Sequence, residues 1–193
     1  AFGIGKSAPF SNSYYRLIFY RTYNQKYERA AQGISRLMSY QNGALMTSGI
    51  GYYGEAEGNN PVEAIPELDS INKRLKIGTD VFIYGFKSTS NWETEITVAL
   101  LENFLISFYY GQLRVKVQGR EINKKSLSRY VERIHRERPG ATKGTYGNYL
   151  ALTRKEGVHT YSKNFHGMGT LELSVLVDPN EKLDRKVLIV RKA

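Results

Sequence analysis

Apolar and polar positions along this chain form short strand-like runs, then one long stretch with an apolar residue at every fourth place, then strand-like runs again. RLIFYRTY, Arg16–Tyr23, has the aromatic and β-branched content of a strand, and DVFIYGF, Asp80–Phe86, reads the same way. Between them Tyr27–Tyr40 and Ala44–Tyr53 predict two more strands, with QNG at Gln41–Gly43 as the turn joining them. Gly54–Lys76 carries GNNP, Pro61 and Pro66 and reads mostly as loop, while Lys6–Ser13 is a short helical candidate.

The fourfold spacing is Ile96, Leu100, Phe104 and Phe108, which predicts a helix. Ser90 with Glu93 supplies a capping-box pattern, and Gly111 a stop signal. Gln112–Gly119 then alternates Leu113, Val115 and Val117 against polar partners, as a strand with one buried face does. Asn123 can cap a basic helix running to about Glu137, with Leu127, Tyr130, Val131 and Ile134 on its apolar side. Pro139–Gly147 reads as a glycine-rich break, and GTLELSVLVD, Gly169–Asp178, and KVLIVRK, Lys186–Lys192, as two closing strands. The pattern is that of an α+β protein. A composition shift at Ser88–Asn91 divides it into residues 1–90 and 91–193.

Length and composition narrow the class. At 193 residues, with 41% hydrophobic content, the chain can bury a core as one large domain or two small ones. It has no cysteine, which removes disulfides and thiolate metal sites, and it has no apolar run of bilayer length. A cytoplasmic location with no membrane partner is the expectation. The formal charge of +10 attracts polyanions: nucleotides, nucleic acids or acidic proteins. From Arg120 to Arg138 seven bases face three acids, so the helix there is either a solvated face, with Glu132 paired to Arg136, or a phosphate-contacting surface through Arg129, Arg133 and Arg136.

Three glycine patterns could hold a nucleotide. FGIGKS at Phe2–Ser7 contains the end of a P-loop, but the first glycine and the strand that aims such a loop would have to precede Ala1. GIGYYG, Gly49–Gly54, fits the dinucleotide fingerprint only formally, because EAEGNNP follows it where a helix N-terminus must supply amide donors. The third pattern is a pair. FGIGKSA at Phe2–Ala8, followed by strands and then by IGTDVFIYGF at Ile77–Phe86, resembles the GHKL ATPase superfamily of gyrase, heat-shock chaperones, histidine kinases, MutL and MORC proteins.

With GYYG and the helix TVALLENFLISFYYGQLRV included, the chain looks like a bacterial, uncharacterised subgroup of that superfamily, whose members often sit in phage-defence settings. The resemblance implies the rear part of a GHKL-type α/β sandwich with a mostly antiparallel sheet, followed from Asn91 by a transducer-like α/β domain. It implies an ATP-driven conformational switch, with Gly3, Ile4, Gly5, Lys6 and Ser7 closing over the phosphates. Gly78 and Thr79 would begin a central strand beneath the adenine. Glycines 3 and 5 allow successive amides to face one anion, Lys6 adds charge, and the Thr79 hydroxyl can bond a base edge or a bridging water. Thr79 reads equally as an ordinary strand residue. In the family's transducer a basic loop reaches the γ-phosphate; Arg191 and Lys192 are the candidates here, or else a solvated strand end.

The family's carboxylate helix, its magnesium-holding Asn and its D-x-G-x-G all precede the glycine box, and this chain contains none of them. Glu102–Asn103 falls in the wrong order to replace them. The chain is therefore expected to be a fragment that binds ATP, with Mg2+ held from elsewhere, and hydrolyses it only when the missing part is supplied. A second copy of the ATPase region is a further partner the resemblance implies. The competing reading is a basic nucleic-acid-binding module without nucleotide function. Tyr14, Tyr15, Tyr20, Tyr23 and Tyr27, interleaved with Arg16, Arg21 and Lys26, could stack bases or fill a core. His135, His159 and His166 lack partners at metal-ligand spacing, and no nucleophile elbow is present.

Overall fold

The computed structural model describes residues 7–71, 73–167 and 169–177. The chain divides after Ser88 into two compact units. It is an α+β protein, and every strand pair among the described residues is antiparallel.

In the first unit a single helical turn, α1 (Ala8–Ser11), with Pro9 fixing its start, leads into strand β1 (Leu17–Tyr23). Strand β2 (Arg29–Arg36) returns along it, with Tyr20 opposite Gln32. The two long strands expected over residues 27–53 break into four. The chain leaves the sheet after Arg36, makes the small hairpin β3 (Tyr40–Asn42) and β4 (Leu45–Thr47), and rejoins as β5 (Ile50–Tyr53). The Leu37 amide, donated to the Gly49 carbonyl at 2.6 Å, closes the neck of this excursion. The hairpin turn is Gly43–Ala44, one step beyond the QNG expected, and Gly43 takes it with φ +62°.

The stretch expected as loop contains a helix, α2 (Pro66–Ile71), which starts at a proline and carries Glu67 and Asp69 in its first turn. Leu68 of α2 and Ile65 pack with Ala31, Phe19, Val62 and Phe82 to cover one face of the sheet. Strand β6 (Gly78–Ile83) completes the order β5-β2-β1-β6, so the Gly-Thr strand lies at the edge of the described sheet, not at its centre as the resemblance implied.

The second unit opens with α3 (Trp92–Tyr109). The Ser90–Glu93 cap does not form: Asn91 stands at the N-cap without a side-chain bond, and Thr89 donates to Glu95 at 3.1 Å. The buried stripe is Thr97, Leu101, Leu105 and Phe108: Phe108 lies in it as expected, while the other three stand one place on from Ile96, Leu100 and Phe104. A helix repeats every 3.6 residues, so a strict four-residue series drifts around the axis, and Phe104 has the non-helical pair φ −127°, ψ 17°. Gly111 ends the element with φ +77°.

Strand β7 (Val115–Val117) is shorter than expected because Gln118 and Gly119, both at positive φ, turn it at once into β8 (Arg120–Ile122), which the sequence pattern does not suggest. Helix α4 (Leu127–Glu137) buries Leu127, Tyr130, Val131 and Ile134, the apolar side expected. Asn123 accepts the Lys125 and Ser126 amides just ahead of it. The expected glycine-rich break is instead α5 (Pro139–Thr153), nucleated by Pro139 at its first position. Strand β9 (Val158–Phe165), also absent from the sequence pattern, pairs with β10 (Gly169–Leu176) as a largely exposed ribbon. The main core of this unit joins α3, the β7–β8 hairpin and α4, with Tyr146, Tyr149 and Leu152 of α5 against it. No helix among the described residues is long and apolar enough to cross a membrane.

Candidate functional site

Strand β1 alternates its side chains between two faces. Phe19 and Arg21 face the cover made by α2; Tyr20 and Thr22 face the other way. The register sets Thr22 opposite Thr79 on β6, and their hydroxyl oxygens are 3.0 Å apart. Both can donate and accept, so the pair offers a small polar spot on that face, with Thr79 exposed to solvent. A base edge or a bridging water fits that chemistry.

Gly78 precedes it with φ +143°. A Cβ there would come within 2.8 Å of an Arg74 guanidinium nitrogen, so the conformation calls for glycine and any side chain would also have to push the arginine aside. Arg74 is held by the Lys76 carbonyl at 2.9 Å and by Asp80. Asp80 in turn binds Arg21, from Nη2 at 2.6 Å and from Nε at 3.1 Å. Arg21 reaches on to Asp69 of α2 at 2.7 Å and to the Leu68 carbonyl at 3.2 Å. Its side chain is only 4% exposed. The hydrogen bond from Arg74 holds the Asp80 carboxyl below its ordinary value, with burial opposing and Arg21 adding to the depression.

Reading the sequence alone does not reveal this network. Its one signal is Arg21 on the same strand face as Phe19, a charge where alternation calls for an apolar residue.

At the other motif, Ser7 is the one described residue of the glycine box; Gly3, Ile4, Gly5 and Lys6 lie outside the described residues, as do Arg191, Lys192 and the expected strand Lys186–Lys192. The Ser7 hydroxyl accepts from Arg36 Nη1 at 3.2 Å. The Arg36 guanidinium lies 4.5 Å over the Phe10 ring, and its Nε has no hydrogen-bond partner among the described residues. A cation therefore stands beside Ser7, which the sequence pattern does not reveal. Ser13 buries its hydroxyl against the Tyr84 carbonyl at 2.5 Å, and Tyr14 donates its amide to Gly85 at 2.8 Å. The chain leaving the glycine box is thus stitched to the far end of the Gly-Thr strand. Ser7 and Thr79 themselves are not brought side by side: the partners of Ser7 sit where β1 begins, and Thr79 sits where it finishes.

In the second unit Arg129, Arg133 and Arg136 share one face of α4. Arg129 and Arg136 are exposed, and Arg133 is half-buried. Arg129 and Arg133 approach the Tyr130 ring at 5.7 and 5.1 Å. The expected Glu132–Arg136 pair does not form; Glu132 accepts from Ser128 at 2.7 Å instead. Arg133 and Arg120 line a shallow crevice with Glu93, Thr94, Thr97 and Tyr130.

Of the tyrosines singled out, Tyr14, Tyr15 and Tyr27 are exposed and Tyr20 and Tyr23 half-buried. Glu102 and Asn103 are exposed on α3, where Asn103 bonds back to the Ala99 carbonyl at 2.8 Å, an ordinary helix contact. His135 stacks on Tyr146 at 4.0 Å, and among the described residues no three His, Cys, Asp or Glu side chains group as metal ligands. No protein-family model matches the chain, and no curated protein or solved structure shows significant similarity to it.

Proposed function

We propose that the first unit is the lid-and-base portion of a GHKL-type ATP-binding conformational switch, with the second unit as its transducer. The phosphates would be gripped at Gly3–Ser7, with Arg36 as an additional cation, and the base read at Gly78–Thr79. The observation that carries this reading is one shared ladder: β1, which follows the glycine box, is hydrogen-bonded along its length to β6, which opens at Gly-Thr. Ser13 and Tyr84, 71 positions apart, bond directly. The hydroxyl pair of Thr22 and Thr79 supports a base-reading role at the start of β6. Binding, rather than hydrolysis, is the function proposed for these residues; magnesium would arrive on the nucleotide's phosphates. The switch would work in the cytoplasm.

Calorimetric titration of the natural full-length protein with ATP tests the reading against Gly5→Ala and Thr79→Val. Each variant should weaken binding about tenfold, the worth of one well-placed hydrogen bond. Unchanged affinity in both removes the proposal.

A second reading, contact with nucleic-acid phosphates through Arg129, Arg133 and Arg136, is favoured by one observation: none of the three is engaged by a carboxylate among the described residues. The two functions are compatible in one protein.

A further inference from the structure

From Leu37 to Gly54 the sequence contains no charged residue, in a chain whose formal charge is +10. The structure turns this run into the sheet's outer margin: the β3–β4 hairpin and the edge strand β5. Its large apolar side chains stand in solvent. Met38 is 87% exposed, Leu45 74% and Met46 72%, with Leu37 and Tyr40 also well exposed. Monomeric proteins rarely leave such side chains contiguous and uncovered.

We infer that this arm is a self-association surface, and that its occupant is the same arm of a second copy of the chain. Two features select that occupant. Strand β5 borders only β2 among the described residues, so its outer edge presents backbone N–H and C=O groups. A hydrocarbon surface cannot satisfy those groups, whereas an antiparallel β5 from a second copy can, around a two-fold axis.

Charge supplies the second feature. Two copies of a strongly basic protein repel unless the surface they share is neutral, and this run is neutral while the Ile50 and Tyr52 side chains extend the apolar margin onto the sheet.

Sedimentation of the purified chain tests this. The wild type should dimerise in the micromolar range, and dimerisation should tighten as salt rises from about 0.05 to 0.5 M, because screening removes the repulsion between copies. The double variant Leu45→Lys, Met46→Lys should weaken the dimer at least tenfold and, at concentrations where the wild type is also monomeric, leave the thermal midpoint unchanged, since both side chains are exposed in the monomer. Leu171→Lys, an exposed apolar site on β10, should leave it intact. A monomeric wild type at about 100 μM overturns the inference, as does a dimer indifferent to the arm variant or one lost equally in Leu171→Lys. Arm-dependent co-sedimentation of a monomeric chain with phosphatidylserine vesicles assigns the arm to lipid and equally overturns it.

Discussion

Arg21 and Asp80 meet at 2.6 Å across the β1–β6 ladder, joining the strand that follows the glycine box to the strand that opens at Gly-Thr. The two ends of this pair differ in what they leave behind. Arg21 is almost fully buried and depends on Asp80, Asp69 and the Leu68 carbonyl to replace water. Asp80 is about a quarter exposed and keeps Arg74 if Arg21 is lost. Asp80→Ala should therefore destabilise the first unit by about 3 kcal/mol, because a buried guanidinium loses its main partner, while Arg21→Met should cost distinctly less. Urea titrations of the two variants check the order.

Asp80 also fixes a pH dependence. Asp80 titrates below the ordinary aspartate value in the folded chain, chiefly through the hydrogen bond from Arg74. A carboxyl lowered by folding stabilises the folded state at pH values above its unfolded pKa, about 3.9, and that contribution drains away as pH falls below it. Unfolding free energy measured from pH 7 down to pH 2 should drop through this window in the wild type. In Asp80→Asn the drop should be shallower, and an identical profile would show that another acid dominates.

The elements that the sequence announces most clearly are those whose apolar pattern is set by one core. The α4 face of Leu127, Tyr130, Val131 and Ile134 is an example, since all four enter the same cluster as Leu101 and Ile122. What escapes is structure decided by few residues. Pro139 and Pro66 read as breaks, yet each sits at the first position of a helix, where a missing amide costs nothing. Thr22 cannot be connected to Thr79 before the register is known, because 57 residues and an unpredicted helix separate them. Arg36 beside Ser7 is likewise a product of the fold, since nothing in the local sequence around either residue implies the other.

Helix α3 offers a direct check on the part of the stripe that the fourfold series misplaces. Leu105 is buried in the second unit's core and Phe104 is about half exposed. Leu105→Ala should lower stability by about 2 to 5 kcal/mol, as truncations of buried leucines do, and Phe104→Ala by less than about 1, despite its larger side chain. Equal losses in thermal denaturation would restore the fourfold face.

If α4 binds nucleic-acid phosphates, its arginines act as counterion-releasing charges. Replacing Arg129, Arg133 and Arg136 by Gln should reduce the magnitude of the log–log salt slope of duplex binding by about 2 to 3, near 0.9 for each phosphate left without its arginine. Fluorescence anisotropy between about 50 and 200 mM salt reads this. An unchanged slope places any phosphate binding elsewhere.

Gly78 connects the ion network to the proposed base end. Its φ of +143° excludes ordinary side chains, and the space a Cβ would take is held by Arg74, whose guanidinium also grips the Lys76 carbonyl and Asp80. Gly78→Ala must therefore strain the backbone and displace Arg74 together, at a combined cost of about 1 to 3 kcal/mol. Arg74→Ala opens the space and relieves the clash while the backbone strain persists, so the double variant should lose less than the sum of the singles, a coupling a double-mutant cycle measures directly. Additive losses would mean that Arg74 swings aside freely and that Gly78 is required for its backbone conformation alone.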